Sequence, residues 1–407
     1  MNNFLVIDFG ASLIKTAIVN EDKLENVKNY PCPKITAENV SEIFKNIYSS
    51  LTNTVDCIFI CTQMHGFFAL DENNKPLTEY INWQDARAGE KIDGASTFSL
   101  IDQKFGTSFR KKTGMKLKLG LPILNLIHMA RMGELKGDIK AVSIPEFLVL
   151  KNCDNQTNLS HETLVAGMGY WNIYEDKSYT EILNFYKEIA GGDIIFNKSV
   201  KEIKPAGYIN KVPVYVGVGD HQCALLGAGL EEKNQLSINL GTGSQVSLID
   251  EPKTSGMFEQ RPFFNGKMLS TITHIPSGRV LNQFVKDEKD WATIHQLTIA
   301  DLQNAEGNID LAIFEGAYNY KGAKVENVNS SKEYFANLLK SYINQYIGII
   351  EKLETMPSEI ILSGGIARKL KIIKEYIEQK TNLKIKIVLE GEETFLGLRK
   401  LGREAKK

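Results

Sequence analysis

The chain has 407 residues, 43% of them hydrophobic and 24% charged, with a formal net charge of −1. That length allows two or three domains, each with its own core. The balanced charge gives no bulk electrostatic case for nucleic acid or an anionic membrane surface. The start, Met1-Asn2-Asn3-Phe4, lacks a basic leader region, so no signal peptide is expected. No apolar run approaches the ~20 residues a membrane helix needs. The five cysteines, Cys32, Cys57, Cys61, Cys153 and Cys223, are odd in number and scattered. They read as reduced thiols in a cytoplasmic protein.

Phe4–Gly10 reads as a strand closing on Asp8 and Gly10, and Ile14–Val19 returns as its hairpin partner. Apolar spacing at Val40, Ile43, Phe44, Ile47 and Leu51 predicts a helix over Asn39–Leu51. Cys57–Cys61 is a buried strand, too apolar around its thiols to suggest metal ligands. It runs into Gln63-Met64-His65-Gly66, a loop at a strand's carboxyl end, where α/β proteins place ligands. A polar cluster with a tryptophan follows, Trp83-Gln84-Asp85-Ala86-Arg87. Leu121–Met132 is a helix opened by Pro122, and Ser143–Glu146 starts another. Gly167–Asn172 is an aromatic, glycine-rich turn, and the strand Val214–Val218 leads into Gly219-Asp220.

The small-residue helix Cys223–Leu230 comes next, and then the strand Leu236–Leu240 ending in Gly241-Thr242-Gly243-Ser244, with Gln245–Ile249 returning. This second glycine hairpin repeats the pattern of the first, roughly 230 residues later, which favours two related domains. We expect a boundary near Asp220, dividing the chain into 1–217 and 218–407. Glu315–Gly322 reads as loop and Glu333–Leu353 as a long amphipathic helix. The strand Glu359–Leu362 ends in Ser363-Gly364-Gly365; Lys369–Thr381 is helical, Leu383–Leu389 a last strand, and Glu393–Lys400 opens a final helix. Alternating strands and helices make the class α/β.

Three glycine turns after strands could bring backbone N–H groups toward an anion. Asp8, Thr242 and Lys15 on two hairpins could hold a triphosphate between two domains, and Gly364-Gly365 could pass close to a flat base. A carboxylate at a strand end, Asp220, suits a general base. No Walker pattern occurs, and Gly217-Val218-Gly219 lacks the third glycine of a dinucleotide fingerprint.

The ordered set Asp8-Phe9-Gly10, Gln63-Met64-His65-Gly66, Trp83-Gln84-Asp85-Ala86-Arg87, Gly219-Asp220, Gly241-Thr242-Gly243-Ser244 and Gly364-Gly365 resembles the FGGY carbohydrate kinases. The resemblance runs from residue 4 to about residue 400. It implies two actin-like (ribonuclease H-like) ATPase domains of duplicated topology around a central cleft. Gly169-Tyr170-Trp171-Asn172, Gly219–Cys223, Phe263-Phe264-Asn265 and Gly278–Phe284 look most like sedoheptulokinases. Xylulokinases share the Met-His-Gly loop and the strand-end Asp, so xylulokinase or ribulokinase activity is the alternative.

The resemblance implies ATP and Mg²⁺, a ketose acceptor, and Asp220 as the base that deprotonates a primary hydroxyl. It places Asp8 and Asp220 at the metal, Asp8 acting through water because Mg²⁺ tends to keep several of its waters. It assigns Asp8, Gly10, Ser12, Lys15, Gly241, Thr242, Gly243, Gly364, Gly365 and Arg368 to the nucleotide side. Gln63, Met64, His65, Trp83, Gln84, Asp85 and Asp220 fall on the sugar side. His65 also admits a structural role, Trp83 a core one, and Asp85 a pairing with Arg87 that only holds its loop. The resemblance leaves room for a homodimer. Two departures stand out. Ala11 and Leu13 replace hydroxyl residues of the first phosphate turn, which predicts weakened nucleotide binding, about 0.5–1.5 kcal/mol per lost hydrogen bond. The chain is also short between Gly243 and Gly364. Rival readings are a non-catalytic sugar- or nucleotide-sensing protein on the same fold, or an Hsp70-like ATPase, for which no peptide-binding region is left over.

Overall fold

The computed structural model describes residues 3–405 apart from 22, 50–54, 316–318, 321, 323–324 and 327–329. The described chain forms two compact units. The first comprises Met1–Gly227, Glu251–Leu269 and Glu392–Lys407, and the second Ala228–Asp250 and Ser270–Gly391.

The first unit is built on β1 (Phe4–Phe9), every residue of which is buried. It pairs antiparallel with β2 (Leu13–Asn20) and parallel with β4 (Cys57–Thr62), while β3 (Lys23–Pro31) adds an exposed edge beyond β2. Val212–Tyr215 and Pro205–Ile209 extend the sheet beyond β4. Alternation along β1 decides what each face meets. Leu5, Ile7 and Phe9 pack with Val40, Phe44 and Ile47 of α1 (Ala37–Ser49) and with buried residues of the Ile144–Asn152 helix. Each such side chain is worth about 1.5–3 kcal/mol of burial. The opposite face carries Phe4, Val6 and Asp8. There the Glu393–Glu404 helix comes close enough that a Cβ on Gly402 would lie 2.8 Å from the Phe4 ring.

The second unit repeats this plan. Gln235–Leu240 pairs antiparallel with Ser244–Asp250 and parallel with Glu359–Ser363, which pairs parallel with Lys384–Ile387. Met268–Ile275 lies beyond Ser244–Asp250, in the place β3 takes beyond β2. The shared order of flanking strand, hairpin partner, central strand and parallel neighbour gives the duplicated α/β topology expected from the two glycine hairpins.

Several expectations are revised. The division of the chain is not a single cut at 217/218. Val218–Gly219 pairs with β4, so the segment through Gly227 stays with the first unit, and two later segments, Glu251–Leu269 and Glu392–Lys407, belong to that unit as well. Leu51, expected to end the first helix, lies outside the described residues. Within Glu315–Gly322, Phe314–Glu315 and Asn319–Tyr320 pair as short antiparallel strands, and 316–318 and 321 lie outside the description. Lys369–Thr381 is interrupted at Leu370, whose ψ of 83° separates Gly365–Lys369 from Lys371–Thr381. Two helices unforeseen in the sequence, Thr97–Thr113 and Thr180–Ala190, build a second core cluster of the first unit.

Candidate active site

In the first unit, three parallel strands end side by side. Asp8 on β1 and Val218 both lie level with Cys61 of β4, so Asp220 follows two residues beyond that level. The carboxyl ends of parallel strands are where such sheets present ligand groups. Asp220 opens the Asp220–Ala228 helix, whose N-terminal dipole favours a negative charge.

The two acids sit in different settings. Asp8 is 6% exposed; its Oδ2 accepts from Thr394 Oγ1 at 2.9 Å, while its buried Oδ1 has no hydrogen-bond partner among the described residues. Burial raises its pKa, against the Thr394 hydrogen bond, the charge of Lys15 and the nearby Cys61 thiol. Asp220 is pushed up to about 7, by burial first and then by the charge of Asp8. The backbone N–H of His221, 2.7 Å from Oδ1, the charge of Arg261 and the Met64 N–H pull the other way.

After β4 the chain turns sharply. Gln63 N donates to Phe9 O at 3.2 Å, and His65 takes a left-handed φ of 61°. That conformation is costly for a residue with a Cβ and persists only where its surroundings fix it. Here the ring Nδ1 lies 2.6 Å from Gly167 O. A carbonyl only accepts, so Nδ1 carries the proton and Nε2 is left as an acceptor. Burial, with the charges of Lys118 and Arg261, lowers the His65 pKa to about 3, so the ring is neutral. Gly66 must be glycine: a Cβ there would lie 1.9 Å from Tyr80 Oη. The glycine-rich turn at Gly167 thus fixes the ring of His65.

A charged cluster that the sequence did not reveal surrounds this loop. Glu259 and Arg261 lie two residues apart on the Glu259–Pro262 strand, hence on one face, and both are buried. Arg261 Nη2 donates to Glu259 Oε2 at 3.0 Å, and Lys118 Nζ stands 3.7 Å from the same oxygen. Arg261 Nη1 approaches His221 Nδ1 at 3.2 Å and Met64 Sδ at 3.7 Å. Guanidinium only donates, so His221 Nδ1 accepts, and its Nε2–H is buried without a partner among the described residues. Burial disfavours the Glu259 carboxylate, yet Lys118 and Arg261 hold it at about 2; burial and Arg261 bring Lys118 down to about 8. The readable signal was two opposite charges at period two between aromatics, Phe258 to Phe264.

The remaining expected residues are spread over both units. Lys15 is held by Glu392, Nζ to Oε2 at 2.8 Å, and Gly10 N closes the hairpin on Leu13 O at 3.1 Å, with Ser12 exposed beside it. Asp85 grips Arg87 with both carboxylate oxygens, at 2.9 and 2.8 Å, and its own carbonyl accepts from Asn125 at 3.2 Å. Gln84 is exposed and Trp83 half-buried. In the second unit, Thr242 and Gly243 are exposed, and the loop is tied by Ser277 Oγ and Gly278 N, both 3.0 Å from Gly241 O. Gly364 has φ 91°, and a Cβ there would lie 2.5 Å from Leu240 O. The two glycine loops therefore meet at the end of Gln235–Leu240, with Arg368 exposed on the short helix after Gly364.

The family model of the FGGY family of carbohydrate kinases, N-terminal domain, matches residues 3–227. A xylulose kinase of Staphylococcus xylosus is 24% identical over 61% of this chain and 55% of its own. A glycerol kinase of Thermococcus kodakarensis is 23% identical over 62% of this chain and 52% of its own. The chain thus spans about half the length of the curated relatives it matches. The fold extends further. A ligand-bound xylulose kinase from Lactobacillus acidophilus superposes with a TM-score of 0.82 at 16% identity, covering 100% of this chain and 90% of that one. A gluconate kinase from the same organism gives 0.80 at 17% identity, with 99% and 89% covered. With more than half its length matched by the family model, this chain belongs to the FGGY family of carbohydrate kinases.

Proposed function

We propose that this protein transfers the γ-phosphoryl group of ATP to a primary hydroxyl of a ketose, with Asp220 as the general base. The observation that carries this reading is the pairing of Asp220, at about 7, with the buried Asp8 at the ends of parallel strands. A base is most effective when its pKa lies near the working pH. Asp220 takes the hydroxyl proton as the oxygen bonds to the γ-phosphorus and the bond to the β–γ bridging oxygen breaks, releasing ADP. His65 Nε2 would accept from a neighbouring sugar hydroxyl, fixing the acceptor. The loops Gly241-Thr242-Gly243 and Gly364-Gly365, with Gly10, Ser12, Lys15 and Arg368, form the nucleotide side of the proposal.

Asp8 Oδ1, buried with no hydrogen-bond partner among the described residues, fits a group that supplies positive charge. Asp8 and Asp220 would hold Mg²⁺, directly or through its waters. When bound, the ion neutralises charge on the transferring phosphate. Sedoheptulose is the acceptor we put first, from the Phe263-Phe264-Asn265 stretch and the Gly169–Asn172 turn. Xylulose stands second, favoured by the relatives and solved structures named as xylulose kinases. ADP release from Mg·ATP across a ketose panel tests the proposal. Sugar-dependent turnover is expected with one ketose, falling about 10²–10⁴-fold in Asp220→Asn. Turnover unchanged in that variant would remove Asp220 from the role, and retained ligand binding without turnover would point to a sensing protein.

A further inference from the structure

The Glu259 cluster bears on which acceptors can enter. Recognition of a carboxylate by arginine depends on a free pair of parallel N–H donors. Arg261 spends three of its five N–H donors inside the protein: Nη2 donates to Glu259 at 3.0 Å, and Nη1 donates to His221 and Met64 at 3.2 and 3.7 Å, with Nε–H unpartnered among the described residues. Lys118, the other cation here, is 3.7 Å from the same Glu259 oxygen, and the second Glu259 oxygen accepts from Lys116 N at 3.1 Å. Both cations are thus committed to one buried carboxylate.

The unpartnered groups around Asp220 are mostly neutral. His221 Nε2–H, Gln63 Oε1 and Gln222 Oε1 are buried with no partner among the described residues, and His65 Nε2 is an acceptor. Donors and acceptors of this kind suit hydroxyls, which do both. An anionic acceptor would instead meet Asp8, Asp220 and Glu259. We infer that Glu259 is a specificity-determining residue: by engaging Lys118 and Arg261, it makes the acceptor site one for neutral polyols and closes it to sugar acids. Within this family the distinction matters, because relatives include proteins named as xylulose, glycerol and gluconate kinases. The inference rests on the kinase reading above.

The test measures ADP release from Mg·ATP by the whole protein, with neutral ketoses and polyols against aldonates of matched carbon number. Wild type is expected to favour the best neutral acceptor over its matched aldonate by at least about 100-fold in kcat/KM, the order set by unpaired buried polar groups. Glu259→Gln frees two cations and should lower that ratio about tenfold or more, mainly through a smaller KM for the aldonate. The double variant Glu259→Gln with Lys118→Gln should reverse part of that change. A wild type that prefers the aldonate overturns the inference, as does a ratio unmoved by Glu259→Gln. A general loss of packing would depress both acceptors alike and leave the ratio unmoved. Should Glu259→Gln melt below the assay temperature, Glu259→Asp keeps the charge but shortens the reach to Lys118. That variant should admit the aldonate about threefold better by the same unpairing, and an unmoved ratio would again overturn the inference. No turnover with any acceptor would remove the kinase reading itself; turnover with an unmoved ratio removes only the role of Glu259.

Discussion

The two glycine hairpins occupy equivalent places in their sheets, yet they differ at one telling position. In the first, Asp8 lies between Lys15 on the antiparallel side and Cys61 on the parallel side. In the second, Asn239 lies between Gln245 and Ser363. The amide finds its partner within the sheet, Nδ2 donating to Ser363 Oγ at 2.9 Å. The carboxylate does not: one oxygen takes Thr394 and the other takes no hydrogen bond from the described residues. The same topology thus carries a hydrogen-bonded neutral amide in one unit and an under-satisfied charge in the other. Buried charges without full compensation are costly and mark sites where a ligand completes the set.

The sharpest way to break this contrast is Asp8→Asn, which gives the first hairpin the chemistry of the second. Turnover should fall about 10²-fold or more, the scale of losing one preorganised electrostatic partner. Thermal stability should hold or rise, because the desolvated charge is gone. A variant with full activity would mean the asymmetry is not functional.

The next test concerns the loops proposed for the nucleotide side. Gly364→Ala puts a Cβ 2.5 Å from Leu240 O at a φ of 91°, where both strain and overlap oppose it. We expect a loss of about 1–3 kcal/mol in unfolding free energy from the backbone alone, with a raised KM for ATP and little change in acceptor preference. Gly365→Ala meets nothing within 4 Å and should be milder.

Asp220 gives the comparison a pH axis. Its folded pKa of about 7 lies above the ordinary 3.8, so the folded state binds the proton more tightly. Stability is therefore lost as pH rises from about 4 to 7 and is flat above. After discounting for partial exposure, the loss is about 1–2 kcal/mol. Asp220→Asn removes that window, so its melting temperature should exceed wild type at pH 8 and converge with it near pH 4. Activity runs the other way, since the proposed base must be ionised: kcat/KM should climb about tenfold per pH unit below about 7 and level off above. An activity profile flat from about pH 5 to 8 would separate Asp220 from proton transfer.

The sequence made the frame legible because strand ends, glycines and strand-end acids are local patterns. Phe4–Phe9 and Gln235–Leu240 with their return strands could be read directly, as could Asp8 and Asp220 as notable acids. What surrounds those acids was not legible, because it comes from far along the chain. Thr394 and Glu392 reach Asp8 and Lys15 across 386 and 377 residues, and Arg261 reaches His221 across 40. Asp85 illustrates the opposite case: its short-range link to Arg87 was foreseeable, and the structure commits both its oxygens there.

The smallest effect expected concerns Lys15. In Asp8's hairpin it faces Glu392 at 2.8 Å, with the two side chains 26% and 29% exposed. Partly exposed pairs contribute about 0–1 kcal/mol, so Glu392→Gln should cost stability no more than that. Its other consequence is to release the cation for a phosphate, on a hairpin whose Ala11 and Leu13 offer no hydroxyl. The KM for ATP should then fall about two- to fivefold, at unchanged acceptor KM, the size of one added charge-assisted hydrogen bond at a partly solvated site. If instead Glu392→Gln raises the KM for ATP, the ion pair positions Lys15 for the nucleotide. The contrast between the hairpins would then lie in Asp8 alone.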